Sequence, residues 1–288
     1  MTSPLTPTQD FKRVWLITGA SRGIGALIAK AALAEGDAVV AAGRNVDAIA
    51  AALGEGPALF PVRLDVTSEE EAAAAVQAAL ARFGRIDVLV NNAGFGLLGA
   101  VEEATLAETR RLYETNVFGV LNVTRAVLPS MRARRAGHVI NISSIGGYRS
   151  AVGFGVYSST KFAVEGLTEA LHGELAPLGI HVTVVEPGYF RTDFLDQSSL
   201  AVSPNVIGDY APTSGAVRAV AATLNRQQPG DPEKLAQAMV ELARAQTPPL
   251  RLPLGTDTLR AIAQKHEFVT RETETWRALS ASTDFAAA

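Results

Sequence analysis

Thr18-Gly19-Ala20-Ser21-Arg22-Gly23-Ile24-Gly25 follows the apolar run 14–17 and opens a helical pattern over 24–35. Glycines between a buried strand and an amphipathic helix let the backbone turn tightly and approach a pyrophosphate, whose charge the positive end of the helix stabilises. This stretch predicts a strand, a phosphate-binding loop and a helix, the opening unit of a dinucleotide-binding sheet.

The rest of the chain repeats that alternation. Segments 14–18, 38–42, 58–64, 86–90, 138–142, 181–185 and 250–254 read as strands apolar on both faces, and 24–35, 46–53, 68–83, 106–134 and 156–177 read as helices between them. Such a pattern predicts an α/β fold, a Rossmann-type doubly wound parallel sheet of about seven strands with helices on both faces. Ser68 and Glu71 read as a capping box and Gly84 as the stop of that helix. After Pro187 the segment 196–231 mixes Ser, Pro, Gly, Asn and Gln with short apolar pieces, which suggests a loop-rich insertion or lid. Helical patterns resume over 232–245 and 256–279, and the last residues read as frayed. The organisation expected is one domain over 1–288, with a core at 12–254, a substrate loop at 189–231 and a C-terminal helical extension at 255–288.

Composition agrees with one large domain: 288 residues are 48% hydrophobic and 19% charged. A net charge of −3 provides no basic field, so no nucleic-acid partner is expected. The chain has no cysteine, which excludes a disulfide framework and a thiolate nucleophile. Residues 1–10 carry no positive charge before a short apolar run and do not read as a signal peptide. No stretch reaches the roughly 18 to 20 apolar residues that span a bilayer, so no membrane insertion is expected and a cytoplasmic location is the default. His138, His172, His181 and His266 lack metal-ligand spacing and read as surface or structural residues, with no metal expected. Arg132, Arg134 and Arg135 read as a solvated helix end.

The chemistry concentrates in a second stretch, Asn141 to Lys161. Tyr157 and Lys161 are four apart and share a helix face. A nearby ammonium favours the phenolate, so the spacing predicts a phenol whose pKa falls from about 10 toward neutrality. With the Ser144 hydroxyl, the group suits a carbonyl that becomes an alkoxide: Ser144 holds the oxygen, Tyr157 moves the proton and Lys161 tunes the tyrosine.

Taken together, these motifs resemble those of the short-chain dehydrogenase/reductase (SDR) family, over roughly residues 12–254. The matches are Thr18 to Gly25, Asp65-Val66, Asn91-Asn92-Ala93-Gly94, Asn116, Ser144, Tyr157 with Lys161, and Pro187-Gly188 with Thr192. The resemblance implies a nicotinamide cofactor held by Gly19, Ser21, Arg22, Gly23, Ile24, Gly25, Asp65, Val66, Asn92, Ala93, Gly94, Tyr157, Lys161, Pro187, Gly188 and Thr192. It makes Asn116 a fourth catalytic member that helps hold a water relaying protons to Lys161. Ser143 and Ser144 compete for the catalytic serine, and the thirteen-residue interval to Tyr157 favours Ser144.

The implied activity is an oxidoreductase that interconverts a ketone or aldehyde and an alcohol. A redox-sensing regulator without turnover would lack a catalytic residue, and none is missing; a sugar-nucleotide epimerase or dehydratase would carry a Gly-x-x-Gly-x-x-Gly loop. Residues 91–103 look like the 17β-hydroxysteroid and retinol dehydrogenase branch. Phe95, Leu97, Leu98, Phe154, Tyr189, Phe190 and Phe194 are expected to line an apolar pocket for a hydrophobic carbonyl substrate. Family members are dimers or tetramers, so a homo-oligomer, more readily a homodimer than a homotetramer, is expected.

An NAD-preferring site ends its second strand with an acidic residue, whereas NADP needs positive charge for the 2′-phosphate. Here that strand ends Ala41-Ala42-Gly43-Arg44-Asn45. Arg44, with Arg22 from the glycine loop, therefore predicts that NADP(H) is preferred over NAD(H).

Overall fold

A computed structural model describes residues 11–196, 199–224 and 227–285. The readings made for 1–10 and for the last three residues lie outside the described residues, as do four positions of the 189–231 loop. The chain runs β1 (Val14–Thr18), α1 (Gly23–Ala34), β2 (Ala38–Gly43), α2 (Val46–Leu53), β3 (Leu59–Arg63), α3 (Glu69–Phe83), β4 (Val88–Asn91) and β5 (Gly96–Leu98). There follow α4 (Leu106–Tyr113), α5 (Gly119–Arg134), β6 (Gly137–Ile142), α6 (Ile145–Tyr148), α7 (Gly155–Leu175), β7 (Ile180–Pro187) and β8 (Leu200–Val202). The last elements are α8 (Ala216–Leu224), α9 (Pro232–Arg244), β9 (Arg251–Leu254) and α10 (Thr256–Ala281).

Seven strands form one parallel sheet in the order β3-β2-β1-β4-β6-β7-β9. Every residue of β1 and β2 is buried, and alternate residues face opposite cores. Val14, Leu16, Ala38 and Val40 pack with α3 and α5 through Val76, Val123 and Val127. Trp15, Ile17, Val39 and Ala41 pack with α1 and α9 through Ile28, Leu235 and Met239. Strand order reverses between β1 and β4, and ligands of open α/β sheets bind at the carboxyl ends of the strands beside such a switch point.

Several local expectations need correction. The helical region expected over 106–134 contains a π-helical turn, Glu114–Phe118, between α4 and α5, and Asn116 is buried in it. Such turns are often found at functional sites. At α3 only half of the capping box forms: Ser68 Oγ accepts from Glu71 N at 3.1 Å. The Glu71 carboxylate instead accepts from Asp65 N at 2.8 Å and pairs with Arg63, fixing the turn after β3. The reciprocal box is at Thr105 and Glu108, before α4. Arg134 is not merely solvated, because it grips Asp87 at 2.7 Å and the Ile86 carbonyl, tying the end of α5 to the start of β4. Of the two alternatives read for His138, surface or structural, the structural one holds: it is buried and bonded to Thr183 Oγ1 at 2.9 Å.

The insertion after β7 carries more order than its composition suggests. β8 pairs in parallel with β5, and α8 follows. Glu103 pins this segment. Its fully buried carboxylate accepts from Ala100 N (2.7 Å), Ile207 N (3.0 Å) and Arg218 Nη2 (2.5 Å), while its carbonyl accepts from Ser203 Oγ and Asn205 Nδ2. The bond from Arg218 is the main cause that holds the Glu103 carboxyl down at about 2. α10 buries only Thr258 and Ala261, leaving Phe268, Val269, Trp276 and Leu279 exposed. No described helix is long and apolar enough to cross a membrane.

Candidate active site

The glycine loop leaves β1 and is stitched to the loop after β4. Thr18 Oγ1 accepts from Asn92 N and Ala93 N, both at 3.0 Å, and Asn92 Nδ2 donates to the Thr18 carbonyl at 2.9 Å. Gly19 and Gly23 have φ of 66° and 54°, a region that side chains disfavour. At Gly25 a Cβ would overlap the Gly19 carbonyl and stand 2.5 Å from Asn92 Nδ2. The amino end of α1 has no side-chain cap among the described residues. Tight loop, close backbone approach and an uncapped helix end together fit a dinucleotide pyrophosphate.

Around this cradle stand the other residues that the sequence singles out. Ser21, Ile24 and exposed Arg22 belong to the loop and the first turn of α1, and exposed Arg44 follows β2. Burial raises the Asp65 carboxyl, but hydrogen bonds from Thr67 and the Arg44 and Arg63 charges draw it below its ordinary value. Val66 lies against α5, and its carbonyl accepts from Asn122 Nδ2 at 3.0 Å. At the end of β7, Pro187 leads into Gly188, whose N–H donates to the Leu254 carbonyl at 2.9 Å. Thr192 Oγ1 accepts from Phe194 N at 3.3 Å. Asn91 is a structural stitch, donating to Thr124 Oγ1 and Asn141 Oδ1.

The catalytic candidates converge one strand further along. Ser144 follows β6 and caps α6, accepting from Gly146 N at 3.0 Å. Tyr157 lies in the first turn of α7, 7% exposed. Lys161 Nζ donates to the Ile142 carbonyl at 2.9 Å and stands 5.9 Å from the Tyr157 ring centroid. Gly94 joins the group to Asn116: a Cβ there would lie 3.1 Å from Asn116 Oδ1 and 3.7 Å from Lys161 Nζ. Asn116 is held by Phe95, accepting from its N–H at 3.1 Å and donating to its carbonyl at 2.9 Å. It also donates to Thr160 Oγ1 at 3.1 Å, a partner the sequence reading missed because a threonine inside a helix carries no signal of its own.

The electrostatics differ from the sequence expectation. Burial pushes the Tyr157 phenol up to about 12, opposed by a hydrogen bond with Ser144, and burial pushes the Lys161 ammonium down to about 8. Desolvation is the largest influence on each group, and Lys161 donates to the Ile142 carbonyl. Burial therefore favours the protonated form of the Tyr157 phenol.

An apolar wall surrounds the phenol. Phe154 and Phe194 stand 6.2 and 5.8 Å from Tyr157 between ring centroids, and Phe95 and Leu97 join the same cluster. Tyr189 is near enough that its phenolate, if formed, would oppose ionisation of Tyr157. Two expected wall residues are elsewhere: Phe190 packs in the α1–α9 core, and Leu98 is buried outside this cluster. Ala104, Leu112, Val156 and Ala201 complete the cluster and were not foreseen; Ala201 joins it because β8 pairs with β5 only in the folded chain.

The short chain dehydrogenase family matches residues 13–202. A short-chain dehydrogenase from Streptomyces avermitilis is 42% identical, with a TM-score of 0.86 over 94% of this chain and all of that one. 3-Ketodihydrosphingosine reductase of Bacteroides thetaiotaomicron is 38% identical over 84% of this chain and 88% of its own length. Retinol dehydrogenase 8 of Bos taurus is 35% identical over 89% and 86%, respectively.

Proposed function

Because the chain belongs to the short-chain dehydrogenase/reductase family and is an NAD(P)-dependent oxidoreductase, we propose that it reduces a hydrophobic ketone or aldehyde to the alcohol with NADPH, and runs the reverse oxidation. The observation that carries this reading is a buried Tyr157 phenol set beside Ser144 and Lys161 and walled by Phe95, Phe154 and Phe194, next to the glycine-loop cradle. Gly19, Ser21, Gly23, Ile24 and Gly25 would hold the pyrophosphate, while Asp65, Val66, Asn92, Ala93 and Gly94 would flank the adenosine and nicotinamide halves. Pro187, Gly188 and Thr192 would close the far side. A nicotinamide held there would supply the hydride chemistry at the substrate carbon. Ser144 orients the carbonyl oxygen, and Tyr157 donates its proton as negative charge builds there. Lys161 and Asn116 support that transfer from behind the phenol.

The substrate class rests on the apolar wall, and two relatives whose names specify a ketosphingoid and retinol point the same way. NADP(H) preference rests on Arg44 and Arg22. A hydrogen bond to a charged group contributes about 1.5 to 3 kcal/mol, which is roughly tenfold to a hundredfold in selectivity. kcat/KM measured with both reduced cofactors across a carbonyl panel should favour NADPH and bulky apolar carbonyls, and Arg44→Asp should erase or reverse the cofactor preference. Equal use of NADH by the wild type would overturn the arginine assignment, and faster turnover of short hydroxylated carbonyls would overturn the substrate class. The exposed apolar side chains of α10 support assembly into a homodimer. Light scattering at micromolar concentration should read twice the chain mass; a monomer would refute it.

A further inference from the structure

Behind the reacting pair, α7 continues a row at four-residue spacing: Tyr157, Lys161, Glu165 and Glu169. Glu165 is 5% exposed, and Glu186, from β7, is 0% exposed. A single guanidinium answers all three acids: Arg251, from β9, pairs with Glu165, with Glu169 and, at 2.6 Å, with Glu186. Three carboxyls thus share one cation. Glu165 Oε1 and Glu186 Oε2 have no hydrogen-bond partner among the described residues. Ser143 Oγ faces Glu165 across Gly147 without a bond of good geometry: a Cβ at Gly147 would overlap that hydroxyl and lie 2.9 Å from Glu165 Oε1.

A site so crowded with negative charge binds a proton more readily than an isolated carboxylate does. Burial, helped by the Glu186 charge, pushes the Glu165 carboxyl well above the ordinary carboxylate range, against the pull of Arg251. Its charge in turn supports the ammonium form of Lys161. The cluster borders a groove of about 480 Å³ between α7 and α10, lined by Tyr148, Phe162, Glu165, Glu169, Lys265 and His266. The charged and titratable groups around Glu165 are therefore Lys161 and Glu169 on α7, Glu186 on β7, Arg251 on β9, Tyr148 on α6, and Lys265 and His266 on α10, with Tyr148 and His266 bonded to each other.

We propose that Glu165 is a positioning residue for proton transfer: its carboxylate, one helical turn beyond Lys161, keeps that lysine charged, and uptake of a proton from the α7–α10 groove releases the hold. The inference rests on reading Tyr157 and Lys161 as the proton-transfer pair. Glu165→Gln keeps the side chain's shape and removes its charge. The alkaline limb of its kcat/KM profile for carbonyl reduction should move to lower pH by about one unit, and Glu165→Asp should restore it. A Gln profile that superposes on the wild type would overturn the proposal.

A measurement without turnover separates this from the catalytic reading. In protein carrying 13C-carboxyl glutamate, one carbon signal should titrate near neutral pH and vanish in Glu165→Gln. The Lys161 15N signal should then titrate at lower pH than in the wild type. If Glu165→Gln does not fold, Glu186→Gln serves instead, and the Glu165 signal should move to lower pH once its acidic neighbour is gone. A lysine signal indifferent to these changes refutes the proposal, whereas a wild type inert toward every carbonyl tested would strike only the catalytic reading.

Discussion

Tyr157→Phe is expected to lower kcat/KM for carbonyl reduction by about two to four orders of magnitude, the range that a positioned general acid supplies. NADPH affinity should stay close to that of the wild type. The substitution removes one oxygen. The ring stays packed between Phe154 and Phe194, and Lys161 keeps its bond to the Ile142 carbonyl. What disappears is the buried hydroxyl beside Ser144, and with it the proton that burial favours on the phenol. Steady-state kinetics beside a fluorescence titration with NADPH check both halves. A variant with near-wild-type turnover would remove Tyr157 from the mechanism, and one that also fails to bind NADPH would indicate a collapsed site.

The second large effect is expected at Gly25. Its position faces the Gly19 carbonyl and Asn92 Nδ2, and that amide cannot retreat without breaking its bond to the Thr18 carbonyl. Forcing a methyl group into such a place costs about 1 to 3 kcal/mol. If the strain is relieved by opening the loop, Gly25→Ala weakens NADPH binding by roughly fivefold to 150-fold. Gly23 provides the control. Its φ of 54° disfavours a side chain, but a Cβ there would meet nothing within 4 Å, so Gly23→Ala should lose less. Isothermal titration of both variants decides the matter; Gly25→Ala binding as tightly as the wild type would show that the loop has slack the structure does not reveal.

Much of the fold was legible because its signals are local. Strands buried on both faces must be apolar throughout, as β1 and β2 are, and a helix-opening glycine loop announces itself by residue type. Tyr157 and Lys161 could be paired from helical spacing alone. Misreadings arose where a residue had several partners to choose from. Glu71 could have closed a capping box but turned to Asp65 N and Arg63, and Arg134 found Asp87 rather than water. Nothing near Asn116 in the sequence announces a π turn inside 106–134.

By itself the sequence determined the parallel α/β architecture, the place of the glycine loop and the identity of the candidate acid, because each depends on residues within a few positions of one another. Only the tertiary structure decided the burial of that acid, the membership of the apolar wall and the Glu165–Glu186–Arg251 cluster. Those depend on burial and on side chains brought together from α7, β7, β8 and β9, and charge and desolvation act through space, whatever the separation along the chain.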